Sequence, residues 1–96
     1  MPDRVAVSDV RFTEASEADA RTGLVGWIRL VINDAIVLDG ICLRRTSSGA
    51  YTISFPARRD GRGNQRFFVR PITDEARREL ERRVFERLHL ERETAP

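Results

Sequence analysis

Lysine is absent from the chain, and all seventeen of its basic residues are arginine. One interpretation is selection for binding phosphate or carboxylate groups, because the forked donors of a guanidinium group match both. The alternative is a compositional bias of the genome, which the even spread of the arginines along the chain favours. Fifteen acidic residues bring the formal net charge to only +2. The total charge is therefore weak evidence for a nucleic-acid partner.

Cysteine and histidine each occur once, as Cys42 and His89. A lone cysteine excludes an intramolecular disulfide, and one cysteine with one histidine cannot supply a zinc site. Cys42 lies in an apolar run, where we expect a buried and unreactive thiol. His89 lies near the end of a predicted helix, on its polar face. We interpret it as solvated or as interacting with the helix C-terminus, and not as a general base.

Motifs for catalysis are also lacking. No serine or cysteine motif supplies a nucleophile with a placed base. Asp9, Asp34 and Asp39 could in principle form a carboxylate site, but a turn explains Asp34, and bonds to arginine side chains of a neighbouring strand explain Asp39. Gly61 and Gly63 lack the strand-to-helix context and the lysine of a nucleotide-binding loop. We therefore expect a non-enzyme with no metal site and no cofactor.

Long apolar runs are missing as well. No stretch approaches the ~18 residues of a membrane span, and no charged-then-apolar leader is present, so we expect a cytoplasmic protein without membrane insertion. What the chain does have is 41% hydrophobic and 33% charged residues, which is typical of a soluble globular protein. Its 96 residues predict one domain, 1–96, with a core from about 5 to 90 and mobile tails at 1–4 and 92–96. So small a core would gain from self-association.

Alternating apolar residues predict strands at 5–12, 24–32, 35–43 and 51–55, with a short fifth strand at 67–70. The even-numbered residues of the second strand are expected to face the core. Asn33-Asp34 predicts a tight hairpin turn, and a second turn follows at 47–49. The change of phase near Ser8 and Asp9 indicates either a bulge or a strand with both faces partly covered, and Gly40 allows a bulge or a close backbone approach. Residues 13–23 are polar and small, so we expect an exposed loop without chemistry there.

A single helix is expected after Pro71, with Thr73 as its N-cap. Its apolar residues recur every four positions, at 76, 80, 84 and 88, and form one stripe that can lie on the sheet. The predicted fold class is therefore α+β, an antiparallel meander of four to five strands followed by one C-terminal helix. Phe85 and Leu90 fall outside the stripe and are expected to be exposed. The strand at 35–43 is apolar on both faces, so its second face needs a cover, which either the C-terminal helix or a second subunit would supply. The predicted dimer interface consists of Val37, Ile41, Phe85 and Leu90.

The connection between the fourth strand and the helix, residues 55–72, holds five of the seventeen arginines and three of the five phenylalanines. Its Asp, Gly and Asn residues predict a tight reversal, which would present the guanidinium groups on a short loop. Such a loop can bind phosphates. Phe67 and Phe68 could stack on bases, although burial in the core is the expectation for alternating strand aromatics. The candidates in this segment are Arg58, Arg59, Arg62, Arg66 and Arg70.

Several short motifs here have a characteristic spacing: Phe55-Pro56-x-Arg58-Arg59, then Gly63-x-x-Arg66, then Pro71-Ile72. Upstream lie Val7-Ser8-Asp9-Val10-Arg11 and Asn33-Asp34, followed by Val37, Asp39 and Ile41. Over roughly residues 5–88, this pattern resembles the septation protein SpoVG family. Two positions depart from it: Phe67 stands where the family usually has an acidic residue, and Arg70 where it often has histidine. Both departures make the loop more basic or more apolar.

The resemblance implies a small homodimeric regulator that binds DNA or RNA and is linked to septation and sporulation control. Carried over by position, it implies nucleic-acid contacts by Arg58, Arg59 and Arg66, and on the helix by Arg77, Arg78, Arg82 and Arg83. We therefore expect a dimeric nucleic-acid-binding regulator that reads mainly backbone and shape. The alternative is a protein-interaction module of the cell-division machinery, which would engage a protein through the loop and the Phe85 and Leu90 surface.

Overall fold

A computed structural model of the chain describes residues 5–90, so the tails predicted at 1–4 and 92–96 lie outside the described residues. The elements in chain order are β1 (Val7–Glu14), α1 (Glu17–Ala20), β2 (Leu24–Ile32), β3 (Ile36–Arg45), β4 (Tyr51–Ser54), β5 (Ala57–Arg59), β6 (Gln65–Phe67) and α2 (Asp74–Leu88).

The first four strands form one antiparallel sheet in the order β1-β2-β3-β4, and β5 pairs with β6 in a separate two-stranded sheet. Each strand of the main sheet pairs with the next in sequence, so the chain forms a meander. Helix α2 follows and packs its apolar face on the sheet. The predicted α+β class, a four-stranded meander with a C-terminal helix, is confirmed.

The β2–β3 turn has the predicted tight geometry. Asn33 and Asp34 both have a φ of 52°, in the left-handed region that a type I′ hairpin requires at its two central positions. The amide of Ala35 donates to the carbonyl of Ile32 at 2.9 Å and closes the turn. The side chain of Asn33 also accepts from the amide of Ala6 at 2.8 Å. Aspartate serves here in place of glycine because its short polar side chain tolerates this region.

At both places where the sequence left a bulge as one of two alternatives, the structure has a bulge. In the first, the register shifts between the pairs Ser8↔Val31 and Arg11↔Arg29, and Asp9 has a φ of 48°. In the second, between the pairs Ile28↔Ile41 and Leu30↔Leu38, Asp39 and Gly40 of β3 stand opposite Arg29 of β2, and Gly40 has a φ of 78°. A positive φ at the bulge favours glycine, which explains Gly40 in an otherwise apolar strand.

The core lies between the sheet and α2, and its buried residues come from both layers. The sheet contributes Val7, Ile28, Leu30, Ile41, Leu43 and Ile53, and the helix contributes Leu80, Val84 and Phe85. Alternate residues of β2 from Leu24 to Leu30 are buried, as the even-numbered pattern predicts. A helix with such a face gains most of its stability from this packing, since isolated helices of this length are marginal in water.

Two residues of the predicted dimer interface are buried, and the exposure predicted for Phe85 is wrong. Phe85 is only 1% exposed and lies in the core beside Val84, because the apolar stripe of α2 is wide enough to include adjacent positions. Ile41 is fully buried between the sheet and the helix. Their side chains therefore have no surface to offer a second copy in this conformation.

The region 13–23 is more ordered than predicted. Strand β1 continues to Glu14 because Thr13 and Glu14 pair with Trp27 and Gly26 of β2. A short helix α1 follows, and the Ser16 side chain caps it by accepting from the amide of Asp19 at 3.2 Å. Small polar residues thus serve as a cap and a turn here, where the composition suggested only a loop.

Helix α2 begins and ends with recognisable caps. Thr73 is the N-cap, as predicted, and its hydroxyl accepts from the amide of Ala76 at 3.0 Å. At the other end His89 adopts the left-handed conformation, with a φ of 57°, and the amide of Leu90 reaches back to the carbonyl of Phe85 at 2.9 Å. This ending turns Leu90 back onto the core instead of leaving it exposed.

Side chains of α2 also bond to both outer strands of the sheet. Arg77 donates to the carbonyl of Ile53 at 2.8 Å, while Glu81 accepts from the amide of the same residue at 3.2 Å. At the opposite strand, Arg87 donates to the carbonyl of Val7 at 3.2 Å. These contacts occupy backbone groups at the two edges, which would otherwise be open to other strands.

Candidate nucleic-acid interface

The loop predicted at 55–72 is itself a β-hairpin, formed by β5 and β6. Its pairs are Ala57↔Phe67, Arg58↔Arg66 and Arg59↔Gln65. The fifth strand predicted at 67–70 is wrong in its bounds, since pairing ends at Phe67. Pro56 separates β4 from β5, as its missing amide predicts. The arginines therefore stand on a regular ribbon, and the register fixes which of them share a face.

The carboxylate of Asp60 organises the tip of this hairpin. One of its oxygens accepts from the amides of Arg62 at 2.8 Å and Asn64 at 3.0 Å, and the other accepts from Nε of Arg66 at 3.1 Å. The backbone bond from Arg62, followed by that from Asn64, holds the pKa of Asp60 below its ordinary value. Gly63 completes the reversal with a φ of 84°. The tip is thus stabilised by its own residues, and the arginines have defined positions.

Alternation along the strands divides the hairpin into two faces. Arg58 and Arg66 are register partners and lie on one face together with Phe68, whose ring centroid is 5.7 Å from the guanidinium carbon of Arg58. Arg59 lies on the opposite face, where its Nη1 donates to the carbonyl of Gly63 at 2.8 Å. Arg62 lies at the tip.

Few carboxylates neutralise the hairpin arginines. Residues 57–70 contain five arginines and one aspartate, a formal charge of +4. Among the described residues, Arg66 is the one hairpin arginine that forms an ion pair, with Asp60, and its side chain is still 69% exposed. The side chains of Arg62 and Arg70 form no hydrogen bond or ion pair with any residue in the described range 5–90. The hairpin therefore presents a concentrated positive charge to solvent.

The two hairpin phenylalanines are exposed, so the expectation that they belong to the core is wrong. Phe67 is 45% exposed and Phe68 is 67% exposed. The reason is that β5 and β6 form a separate sheet, which contributes no residue to the core of the described chain. Local alternation predicted an extended segment correctly, but it could not reveal that this segment lies outside the core.

The predicted helix arginines are in a different situation, because most of them have carboxylate partners. Arg82 contacts Glu79 at 2.8 Å and Glu86 at 3.0 Å, and Arg83 contacts Glu79 at 3.0 Å. Hydrogen bonds from Arg82 and Arg83 hold the pKa of Glu79 below its ordinary value, and the bond to Glu79 raises the pKa of Arg82. These charges are largely satisfied within the helix.

Arg77 and Arg78 are neighbours with opposite roles. Arg77 is bound to the edge of β4 and lies 3.7 Å from Glu81, so its donors are engaged in the fold. Arg78 is exposed, and its side chain bonds to none of the residues from 5 to 90. Of the helix arginines predicted to bind nucleic acid, Arg78 is therefore the one whose donors are available.

A cleft of about 280 Å³ separates the base of the hairpin from the start of α2. Phe67 and Arg70 line it from the hairpin side, and Asp74 and Arg77 line it from the helix side. Neither a motif nor a periodicity in the sequence indicated this cleft, because it arises from the angle between two elements.

The predicted dimer residues are not brought together on one surface. Val37 is 50% exposed, and its neighbour Ile36, which the sequence analysis missed, is 57% exposed. Ile41 and Phe85 are buried in the core. Leu90 is half-buried and packs on the same core. The exposed apolar surface of β3 is therefore limited to its first residues.

The aspartates considered for a carboxylate site have separate structural partners. Asp9 contacts Arg11 at 3.0 Å and Arg29 at 3.2 Å, and bonds to these two residues hold its pKa below the ordinary value. Asp34 belongs to the β2–β3 turn. Asp39 accepts from the amide of Gly40 at 2.8 Å and not from an arginine side chain as expected. Within residues 5–90, no three His, Cys, Asp or Glu side chains form a group that could hold a metal ion.

No helix in the described part of the chain has the length and apolar character needed to cross a membrane.

A comparison with protein families agrees with the resemblance seen in the motifs. A search of curated proteins finds no significant match. The family model SpoVG matches residues 5–89, which include the main sheet, the basic hairpin and helix α2. Because the match covers most of the sequence, the chain belongs to the SpoVG family.

Proposed function

We propose that this chain is a non-enzymatic, dimeric regulator that binds DNA or RNA through the β5–β6 hairpin. The observation that carries the proposal is the positive charge of this hairpin, which contains five arginines and one aspartate. Arginine offers forked donors that match phosphate oxygens, and an exposed ribbon can reach a nucleic-acid backbone without rearrangement of the core. The proposed role in septation or sporulation control follows from the family resemblance.

The hairpin is also stiff enough to position its donors. Its tip is closed by three bonds to the carboxylate of Asp60 and by the bond from the amide of Asp60 to the carbonyl of Asn64 at 2.9 Å. Fixed donors lose less conformational entropy on binding than donors on a disordered loop. Contacts to phosphate position a protein without reading bases, so we propose recognition mainly of backbone and shape.

The test is a salt titration of binding to duplex DNA and to RNA, with Arg58, Arg59, Arg62 and Arg66 changed together to Ala. If each contacts one phosphate, the variant should lose about 3.6 units from the slope of log K against log salt per subunit on duplex DNA. Between about 50 and about 200 mM salt, the affinity of the wild type should therefore fall by a factor roughly 150 times larger than the affinity of the variant. Unchanged binding and an unchanged slope would remove the hairpin as the site.

Dimer formation is proposed through the first half of β3. Strand β4 pairs only with Cys42–Arg45, so Ile36–Ile41 has no strand of the described residues on that side. Ile36 and Val37 are exposed beside this open edge. Two copies of β3 can pair there antiparallel, which is a self-complementary contact of the kind that two-fold symmetry requires.

Sedimentation equilibrium tests the dimer. We expect a mass near twice 11.0 kDa for the wild type. Val37→Asp should shift the mass to the monomer because it places a charge in the contact. Ile72→Asp is the matched control, since Ile72 is 84% exposed but lies at the base of the hairpin. A wild-type monomer at micromolar concentration, or equal effects of both substitutions, would contradict the proposal.

The alternative is a protein-interaction module of the division machinery. It is favoured by the exposed apolar residues around the hairpin, namely Phe68 at 67% and Ile72 at 84% exposure. A pull-down distinguishes the two functions. Retention of one defined partner in stoichiometric amount after nuclease treatment, by a chain that binds neither DNA nor RNA, would favour the alternative.

A further inference from the structure

One face of the hairpin combines two guanidinium groups with an exposed aromatic ring. Arg58 and Arg66 are direct register partners on this face, and Phe68 follows Arg66 by two residues, which returns its side chain to the same side. The amide of Phe68 donates to the carbonyl of Pro56 at 3.0 Å, so the backbone at the ring is held against β5. The position of Phe68 is therefore fixed by the hairpin.

Phe68 has no packing role that accounts for it. Its side chain is 67% exposed, and it is not among the residues that pack on the core. Among the described residues, the ring of Phe68 contacts the guanidinium group of Arg58, whose central carbon lies 5.7 Å from the ring centroid. This cation–π contact stabilises the position of the arginine beside the ring. An exposed ring next to two cations is a combination that binds a base and its flanking phosphates together.

We propose that the face formed by Arg58, Arg66 and Phe68 binds unpaired nucleotides, with a base stacked on Phe68 and the adjacent phosphates bound by the two arginines. This inference rests on the proposed function and specifies its ligand as single-stranded nucleic acid. In a duplex the flat faces of the bases are covered by their neighbours, and only their edges are open in the grooves. Phe68 can therefore stack only on a base that is not in a continuous helix.

The opposite face of the hairpin serves as an internal comparison. It carries Arg59 and Phe67, but Arg59 bonds to the carbonyl of Gly63 at 2.8 Å, and Phe67 lines the cleft toward α2. Phe67 is also less exposed than Phe68, at 45% against 67%. The two phenylalanines thus offer a matched pair, in which the same side chain occurs on both faces of one ribbon.

The experiment measures the anisotropy of labelled oligonucleotides at a single salt concentration. The probes are a single-stranded RNA, a single-stranded DNA and a duplex DNA of the same sequence, chosen to be free of self-structure. The variants are Phe68→Ala, Phe68→Leu and Phe68→Trp, with Phe67→Ala for the other face. Circular dichroism and thermal unfolding test whether each variant is folded. Because Phe68 is 67% exposed, its substitutions should change the unfolding temperature little.

The expected result is a loss of roughly 5- to 150-fold in single-strand affinity for Phe68→Ala, as for other stacking aromatics, with duplex binding unchanged. Phe68→Trp should restore the affinity, and Phe68→Leu should not, because leucine has no π-face. Phe67→Ala should have the smaller effect. The RNA and DNA arms show whether the 2′-hydroxyl contributes, since stacking alone does not distinguish them.

Three results would overturn the inference, and they can be told apart from failure of the proposed function. If the wild type binds duplex as tightly as single strands and Phe68→Ala changes neither, the hairpin binds nucleic acid but not through stacking. Full rescue by Phe68→Leu, or an equal effect of Phe67→Ala, would show a general apolar contact or the wrong face. If none of the three probes binds to the wild type at low salt, the proposed function itself fails, and a protein ligand for this face becomes the better account.

Discussion

The arginines of the hairpin and those of helix α2 are the same residue type in two different environments. On the helix, Arg82 and Arg83 share the carboxylate of Glu79, and Arg82 also contacts Glu86. The hairpin has five arginines and one carboxylate, that of Asp60, which bonds mainly to backbone amides of the tip. The helix therefore uses its positive charge for its own stability, whereas the hairpin leaves most of its charge exposed to solvent.

The difference lies in the local spacing of carboxylates and not in the number of arginines. On a helix, a glutamate three or four residues from an arginine faces it directly, and each such pair contributes about 0.2–0.5 kcal/mol. In the hairpin the only acidic residue stands at the turn, where it bonds to amides of Arg62 and Asn64. A basic segment is thus a better candidate for binding when acidic residues are missing at pairing distance.

The largest effect is expected when two arginines are removed from the hairpin, compared with two removed from the helix. Arg58→Ala with Arg62→Ala should lower the slope of log K against log salt on duplex DNA by about 1.8 units. Between about 50 and about 200 mM salt, the affinity of the wild type should therefore fall by a factor roughly 10 times larger than that of the double variant. Arg82→Ala with Arg83→Ala changes the net charge equally but should leave the slope unchanged. Fluorescence anisotropy across a salt series measures both. Equal slopes for the two double variants would erase the distinction between the regions.

A second effect separates Arg77 from its neighbour Arg78. Arg77→Met removes the donor to the carbonyl of Ile53, so the free energy of unfolding should fall by about 0.5–1.5 kcal/mol. Arg78→Met is the matched control and should change it by less, because the Arg78 side chain bonds to none of the described residues. Urea denaturation followed by circular dichroism measures the difference. Equal destabilisation by both would show that the bond at the β4 edge contributes nothing.

A third, smaller effect comes from weakening the pairing of the helix arginines. Glu79→Gln removes the charge shared by Arg82 and Arg83, while Arg82 keeps its contact with Glu86, so nucleic-acid binding should strengthen and its salt slope on duplex DNA should steepen by less than the hairpin double variant lowers it. Glu17→Gln changes the net charge by the same amount on α1, away from α2, and should have less effect. Fluorescence anisotropy across the same salt series measures the slopes of Glu79→Gln and Glu17→Gln. If both single variants behave alike, only net charge matters.

The smallest expected effect is a salt-dependent shift in pKa, which tests what lowers the pKa of Asp60 and of Glu79. Backbone amides dominate at Asp60, whereas arginine side chains dominate at Glu79. A lowered pKa means that the contribution to stability is present above the ordinary pKa, about 4 for these carboxyls, and is lost as the pH falls through the lower folded value. NMR titration of the carboxyl carbons at low and at ~1 M salt should move Glu79 toward its ordinary pKa and move Asp60 less. The opposite order would reverse the assigned causes.

Much of the main sheet could be predicted from local patterns. The turn at Asn33 and Asp34 and the bulge at Gly40 follow from residue types that tolerate a positive φ, and the cap at Thr73 follows from its hydroxyl. These features depend on neighbours in sequence. Phe85 was misplaced because the width of a helix stripe depends on how the helix lies on the sheet. Phe68 was misplaced because the alternation of a strand does not reveal whether a second layer covers it.

The same limits apply to the candidate site. The sequence identified the hairpin arginines and the family spacing that includes them. It could not show that Arg77 bonds to the edge of β4, since that contact joins residues twenty-four positions apart. The chain also gave no sign of the cleft beside Phe67. Contacts between elements decide which arginines are available, and a linear pattern does not contain them.

The bonds that α2 makes at the two outer strands have a consequence for pairing between molecules. Natural sheets commonly guard their edges with lysine, and this chain has none. Arg77 and Glu81 instead occupy the amide and carbonyl of Ile53, Arg87 occupies the carbonyl of Val7, and the bulge at Asp9 interrupts the rest of β1. Pairing with a further strand is therefore hindered along β1 and β4, and the first half of β3, Ile36–Ile41, is the part of the described sheet edge that stays open.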